Sequence, residues 1–235
     1  MIELKDVCFR WSRKDPLILD IPRFQLRKGE RVFLEGPSGS GKTTLLNILG
    51  GVVLPQTGTV KVNGTDLTQL NSANRDAFRA NYIGIIFQMF NLIPYLSPIE
   101  NIVLPCHFSA NRRTVAKNKS KSVEEEARRL LTKLQVQKVT GKNSHAANFP
   151  SMALSVGEQQ RVAAARALIG GPHLVIADEP TSALDYEAQH DFMKLLFDEV
   201  SDAGATLLFV SHEGTLANEF DRKIKLSDVN HAVQR

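Results

Sequence analysis

From Gly36 to Thr44 the chain reads GPSGSGKTT. The fixed positions of a phosphate-binding loop, G-x-x-x-x-G-K-[ST], are all filled, by Gly36, Gly41, Lys42 and Thr43. Between them Pro37, Ser38, Gly39 and Ser40 form a small-residue bend, and Thr44 follows. Glycines let the backbone wrap closely enough for its N–H groups to face an anion. Lys42 would reach the β- and γ-phosphates of a nucleotide, and the Thr43 hydroxyl would ligate Mg²⁺. An apolar run (Val32, Phe33, Leu34) precedes the loop and a helix-like run (Leu45, Leu46, Ile48, Leu49) follows it. That strand–loop–helix context is what the motif requires.

Further residues could join this chemistry. Asp178 and Glu179 close the apolar run LVIA. Two adjacent carboxylates there repel and resist desolvation unless a cation is near; the alternative is a cap for the next helix. Ser155 and Glu158, in LSVGEQQ, have the spacing of a capping box, so a helix starts here with Gly157 allowing close approach. Such a helix start is an anion site, or a capped end without ligand. Gln88 follows the run 83–87, and His212 follows TLLFVS. Alone, each reads as a solvated or structural residue. Asp185 reads as the N-cap of a helix from Tyr186. Trp11 and Phe9 share one strand face, where an aromatic is usually core, and either ring could instead stack on a base.

These residues need a frame. Short alternating runs at 2–11, 21–26, 31–34 and 59–62 predict an antiparallel β layer, and Asn63-Gly64 predicts a tight turn after the last of them. A short helix over 72–80 and a buried strand over 83–87 follow. From 89 the pattern changes, with Pro94, Pro98 and Pro105 punctuating short segments. Ser97-Pro98 starts a helix. Ser122-x-x-Glu125 predicts a capping box for a helix burying Val123, Ala127, Leu130, Leu131 and Leu134. Arg112, Arg113, Lys117, Lys119 and Lys121 lie in an Asn/Ser-rich stretch read as a solvated loop between helices. Later segments alternate helix to 169, strand 174–177, helix 186–203 and strand 206–210, which implies a parallel sheet flanked by helices.

The phosphate loop, Gln88, LSVGEQQRV, LVIADEP with TSALD, and His212, in that order, together resemble the ATP-binding-cassette ATPases over essentially the whole chain. The resemblance implies an α/β P-loop NTPase fold: a mainly parallel core sheet, an N-terminal antiparallel β layer and an inserted helical subdomain. The expected division is 1–88 with 163–235 as core and 89–162 as helical subdomain. ATP and Mg²⁺ are the implied ligands. Asp178 would help hold Mg²⁺ beside Thr43 and Gln88, Glu179 would be the general base, His212 would contact the γ-phosphate, and Trp11, the later aromatic of the family's V-x-F-x-aromatic pattern, would stack on adenine. Ser155, Val156, Gly157 and Glu158 would meet the ATP of a second copy in a head-to-tail homodimer, and Asp185 would cross that dimer. Val156 replaces the family's usual glycine. The segment FQMFNLIPYLSPIENIVLP resembles the lipoprotein-release, macrolide-export and cell-division branch, which implies a separate transmembrane permease, with a periplasmic adaptor reached through it. Alternatives are a cell-division-type regulatory ATPase and a soluble non-transport cassette. The tail KIKLSDVNHAVQR lacks the Asp–Gly turn that commonly ends this strand pair in the family, so an altered final hairpin is expected.

Composition agrees with one such domain. The chain has 235 residues, 43% of them hydrophobic, and a formal net charge of +4. No apolar run approaches ~20 residues, and the charged N-terminus is unlike a signal peptide. Cys8 and Cys106 are far apart, which fits a reduced compartment. The cytoplasmic face of the inner membrane is the expected location. The basic stretch has no aromatic residue to stack bases, so no nucleic-acid partner is expected.

Overall fold

The computed structural model describes residues 1–136 and 150–234. They fall into two compact units, 1–79 with 206 onward and 80–205. Residues 137–149, part of the expected helical subdomain, lie outside the described residues.

In the first unit β1 (Ile2–Phe9) lies between β2 (Leu19–Leu26) and β4 (Thr57–Val62), all antiparallel, with β5 (Thr65–Asp66) beyond β4. β1 buries Ile2, Leu4, Val7 and Phe9, one residue out of phase across its middle. Strict alternation would turn half of these outward. A register shift between Lys5 and Cys8 against β4, with Asp6 at φ 51°, absorbs the extra residue. The Asn63-Gly64 turn forms as expected: φ is 49° and 80°, the pair of left-handed values a two-residue hairpin requires.

β3 (Arg31–Glu35) is not part of that layer, contrary to the sequence expectation. It pairs parallel with β8 (Thr206–Ser211) and β9 (Arg222–Lys225). The reason lies in its run of Val32, Phe33 and Leu34, all fully buried. A strand buried on both faces belongs to a parallel sheet. The phosphate loop leads from β3 into α1 (Lys42–Leu49), and α2 (Ser72–Tyr82) follows β5.

In the second unit β6 (Ile83–Ile86) and β7 (Leu174–Asp178) pair parallel. The helices are α3 (Pro98–Phe108), α4 (Ala110–Lys119), α5 (Val123–Lys133), α6 (Val156–Leu168) and α7 (Tyr186–Asp202). α6 presses its backbone onto β6 at Gly84, where any Cβ would collide with the Ala167 carbonyl oxygen. Only glycine fits. Ser97 and Glu100 make a complete capping box for α3, with Pro98 at its first position.

Three local expectations fail. Pro105 does not punctuate; it sits inside α3. Ser122 accepts from the Glu125 N–H, but the Glu125 carboxylate accepts from Lys121 N–H instead of closing the box. The basic stretch is no solvated loop. Residues 110–119 form α4, and Arg112 is 1% exposed, its Nη1 donating to the carbonyls of Ala167 and Ile169, both at 3.3 Å. These are acceptors at the C-terminal end of α6, where the helix dipole favours a cation. At the C-terminus, α8 (Leu226–Val229) stands where a hairpin strand would return.

Candidate functional site

The phosphate loop is shaped by its glycines and pinned by its lysine. Gly41, the residue before α1, has φ 99°. A Cβ there would also stand 3.0 Å from Leu19 Cδ2 and 3.2 Å from the Ile18 carbonyl oxygen, so conformation and space both demand glycine. Lys42 is buried, and its Nζ donates to the carbonyls of Gly36 (2.7 Å) and Pro37 (3.0 Å). The ammonium thus sits inside the bend formed by residues 36–41. Ser40 Oγ is buried with no hydrogen-bond partner. An orphaned hydroxyl and an ammonium held by loop carbonyls, at the start of a helix, fit a phosphate group. Pro37, Ser38, Gly39 and Thr43 are exposed and Thr44 is buried.

The same unit carries Trp11 and His212. Phe9 is buried in the sheet, whereas Trp11 is 59% exposed, edge-on to Phe9 at 4.9 Å between ring centroids. Of the two, Trp11 presents a free ring face. His212 is exposed just beyond β8, 4.0 Å from the Glu213 carboxylate.

In the second unit the parallel register Ile86↔Ala177 places the residues two beyond each partner, Gln88 and Glu179, at the same level. They meet: Gln88 Nε2 donates to Glu179 Oε2 at 3.4 Å. Asp178 ends β7, and Glu179 turns away from it with φ 45°. The Thr43 hydroxyl, the Gln88 carboxamide oxygen and the Asp178 carboxylate are hard oxygen donors, the kind Mg²⁺ takes. Asp185 caps α7, accepting from Ala188 N–H at 2.9 Å.

Ser155 and Glu158 form the predicted capping box. Ser155 Oγ accepts from Glu158 N–H at 3.4 Å, and Glu158 Oε2 accepts from Ser155 N–H at 3.0 Å. Val156 projects outward, so its side chain crowds none of these groups. Gly157 has room, with Leu184 Cδ2 3.6 Å from a hypothetical Cβ.

Two features escape sequence reasoning. Arg166, in the alanine-rich run of α6, donates to the carbonyls of Phe90 and Asn91, both at 2.6 Å. Those two residues have φ 57° and 48°. Burial pushes the Arg166 pKa down. A charged residue within an apolar helix is the one signal that could have marked it. The segment so held borders a cavity of about 450 Å³ lined by Gln88, Met89, Phe90, Leu92, Met152 and Val156, among others. The second feature is Asn230, fully buried in a polar tail.

Comparison with known proteins places this geometry. The ABC transporter family model matches residues 19–182. An uncharacterized ABC transporter ATP-binding protein of Mycobacterium tuberculosis is 41% identical over 218 residues, 93% of this chain and 82% of its own length. The lipoprotein-releasing system ATP-binding protein LolD of Cytophaga hutchinsonii is 38% identical over 205 residues, 87% of each chain. Among solved structures, a dimeric ATP-binding cassette in a post-hydrolysis state, bound to ADP and Pi, is 34% identical with a TM-score of 0.78, covering 96% of this chain and 94% of that one. Among the described residues no helix is long and apolar enough to cross a membrane. With the family model spanning both the phosphate loop and the acidic pair, the chain belongs to the ABC transporter family, as an ATP-binding, ATP-hydrolysing subunit.

Proposed function

We propose that two copies of this chain bind two ATP molecules head to tail and drive a separate membrane permease, in export, lipoprotein release or force transmission across the membrane. The observation that carries this reading is the Gln88–Glu179 hydrogen bond. It ties the general base to the segment that lines the apolar cavity, so events at the cavity reach the reacting water. The likeness to a dimeric cassette supports the pairing of two copies.

In this reading residues 36–44 hold the triphosphate and Trp11 stacks on adenine. Thr43, Gln88 and Asp178 hold Mg²⁺, which when bound offsets charge on the phosphates. Glu179 takes a proton from water as the water oxygen bonds to the γ-phosphorus and ADP departs with the electron pair of the broken P–O bond. His212 steadies the γ-phosphate. Ser155 to Glu158 approach the nucleotide bound by the other copy, and Asp185 lies along the dimer seam. Residues 89–162 act as the helical subdomain. The subunit works at the cytoplasmic face of the inner membrane.

One pair of variants tests the assignment. Lys42→Ala loses most ATP binding, because a direct phosphate contact is gone. Glu179→Gln keeps binding, loses turnover by about 10²–10⁴, and elutes as a dimer in size exclusion with ATP and Mg²⁺. Equal loss of affinity in both variants, or a monomeric Glu179→Gln with ATP, contradicts the roles given.

A further inference from the structure

β9 runs parallel to β3, with Glu35 opposite Lys225, so the chain after β9 emerges at the end of the sheet where the phosphate loop begins. There Leu226 is fully buried, its Cβ 3.3 Å from the point where a side chain on Gly36 would begin. One short turn later comes Asn230, whose own N–H donates to the Leu226 carbonyl at 2.8 Å. Its carboxamide is completely engaged. Oδ1 accepts from Asp20 N–H (2.8 Å) and Ala232 N–H (3.2 Å). Nδ2 donates to the carbonyls of Ile18 (2.9 Å) and Ser40 (3.4 Å). An asparagine side chain has two donors and two acceptor lone pairs, and this site uses all four.

One of those partners, Ser40, lies in the nucleotide loop, and two, Ile18 and Asp20, at the entry of β2. Ile18 and Leu19 are the atoms that crowd Gly41. Ser40 is the residue before Gly41. Asn230 therefore clamps the 18–20 strand entry to the last bend of the loop, immediately before Lys42. We infer that Asn230 is a positioning residue for ATP: it fixes the backbone of Ser40 and Gly41 so that the loop's N–H groups and Lys42 face the phosphates. The inference rests on reading residues 36–44 as the nucleotide loop. It assigns a function to the short C-terminal helix that stands in place of a hairpin.

The chemistry of the clamp dictates the variants. Asn230→Asp keeps shape but loses both donors and sets a carboxylate against two carbonyl oxygens. Asn230→Ala removes all four bonds. A loop that binds phosphates in the ground state and the transition state alike affects affinity, not turnover at saturation. The expected result is a KM for ATP raised by about tenfold in Asn230→Ala and by more in Asn230→Asp, with kcat within about twofold of the parent. Asn230→Ser, which keeps one donor and one acceptor, serves if the alanine variant does not fold, and is expected to fall between. Val60→Ala, a cavity in the antiparallel sheet, controls for stability: it lowers the melting temperature and leaves KM unmoved. Lys42→Ala, measured alongside, separates the two layers of argument. If Lys42→Ala binds ATP normally, the nucleotide-loop reading itself fails. If Lys42→Ala loses ATP while folded Asn230 variants keep the parental KM, or lose kcat with KM unchanged, the clamp is overturned.

Discussion

Cys106 shows how burial alone can set a residue's chemistry. Desolvation pushes its thiol up to about 11, although Arg112 and Arg113 pull the other way. The thiolate is the nucleophile, so the native residue stays inert at neutral pH and gains reactivity only as pH rises towards that value. Alkylation of Cys106 by iodoacetamide at pH 8 is expected to be at least about 10²-fold slower in the native chain than in urea. Peptide mass spectrometry over a pH series measures it, and equal rates in the two states refute it. The sign for stability follows. A raised folded-state pKa contributes stability that is complete below the unfolded thiol range and is lost as pH climbs through about 11. At this scale the candidate site was legible where residue type meets fixed spacing: Lys42 in its loop, Glu179 after Asp178, Ser155 three before Glu158. Asn230 was not, because an asparagine in a polar tail has no periodicity or motif, and its worth arises only from partners about two hundred residues away.

Elements were legible where apolar spacing is regular. α5, α6, α7 and β7 stand within a residue or two of their expected spans. α4 was not, since its sequence ANRRTVAKNK carries polar or charged side chains on most of its circumference. What ties it to this fold is a buried arginine, with Ala116 the other buried residue of the helix. Arg112 Nε and Nη2 have no hydrogen-bond partner, and burial pulls its pKa down to about 10, so it remains charged at neutral pH. The compensation is the C-terminal end of α6. Arg112→Ala opens a cavity and strands those carbonyls, for an expected loss of about 2–4 kcal/mol. Arg112→Met fills the space and removes a costly charge, so its loss is expected to be less than half as large. Urea unfolding compares the two. An Arg112→Ala midpoint indistinguishable from the parent would sink this account of α4. β3 was misassigned for a different reason: Val32, Phe33 and Leu34 do not alternate, and an unbroken apolar run marks a strand buried on both faces rather than one of an exposed antiparallel layer.

For the whole molecule, the proposed permease needs a surface to engage. Met89, 80% exposed, lines the cavity with Phe90, Leu92 and Pro94, and Tyr95, the next residue in the chain, is 78% exposed. Exposed aromatic and methionine side chains at a concave site fit a partner helix. Phe90→Ala and Tyr95→Ala are expected to weaken pull-down of the permease at least about tenfold while ATP affinity of the isolated subunit stays within about twofold. Full recovery of the permease by both folded variants would place docking elsewhere. The backbone at Glu179 has a consequence of another kind. A glutamate at φ 45° holds a conformation that glycine adopts freely. Glycine here would relax the backbone and, with Glu179 as the proposed general base, would leave a cassette that folds well and does no work. Backbone ease and turnover therefore pull in opposite directions at this one residue.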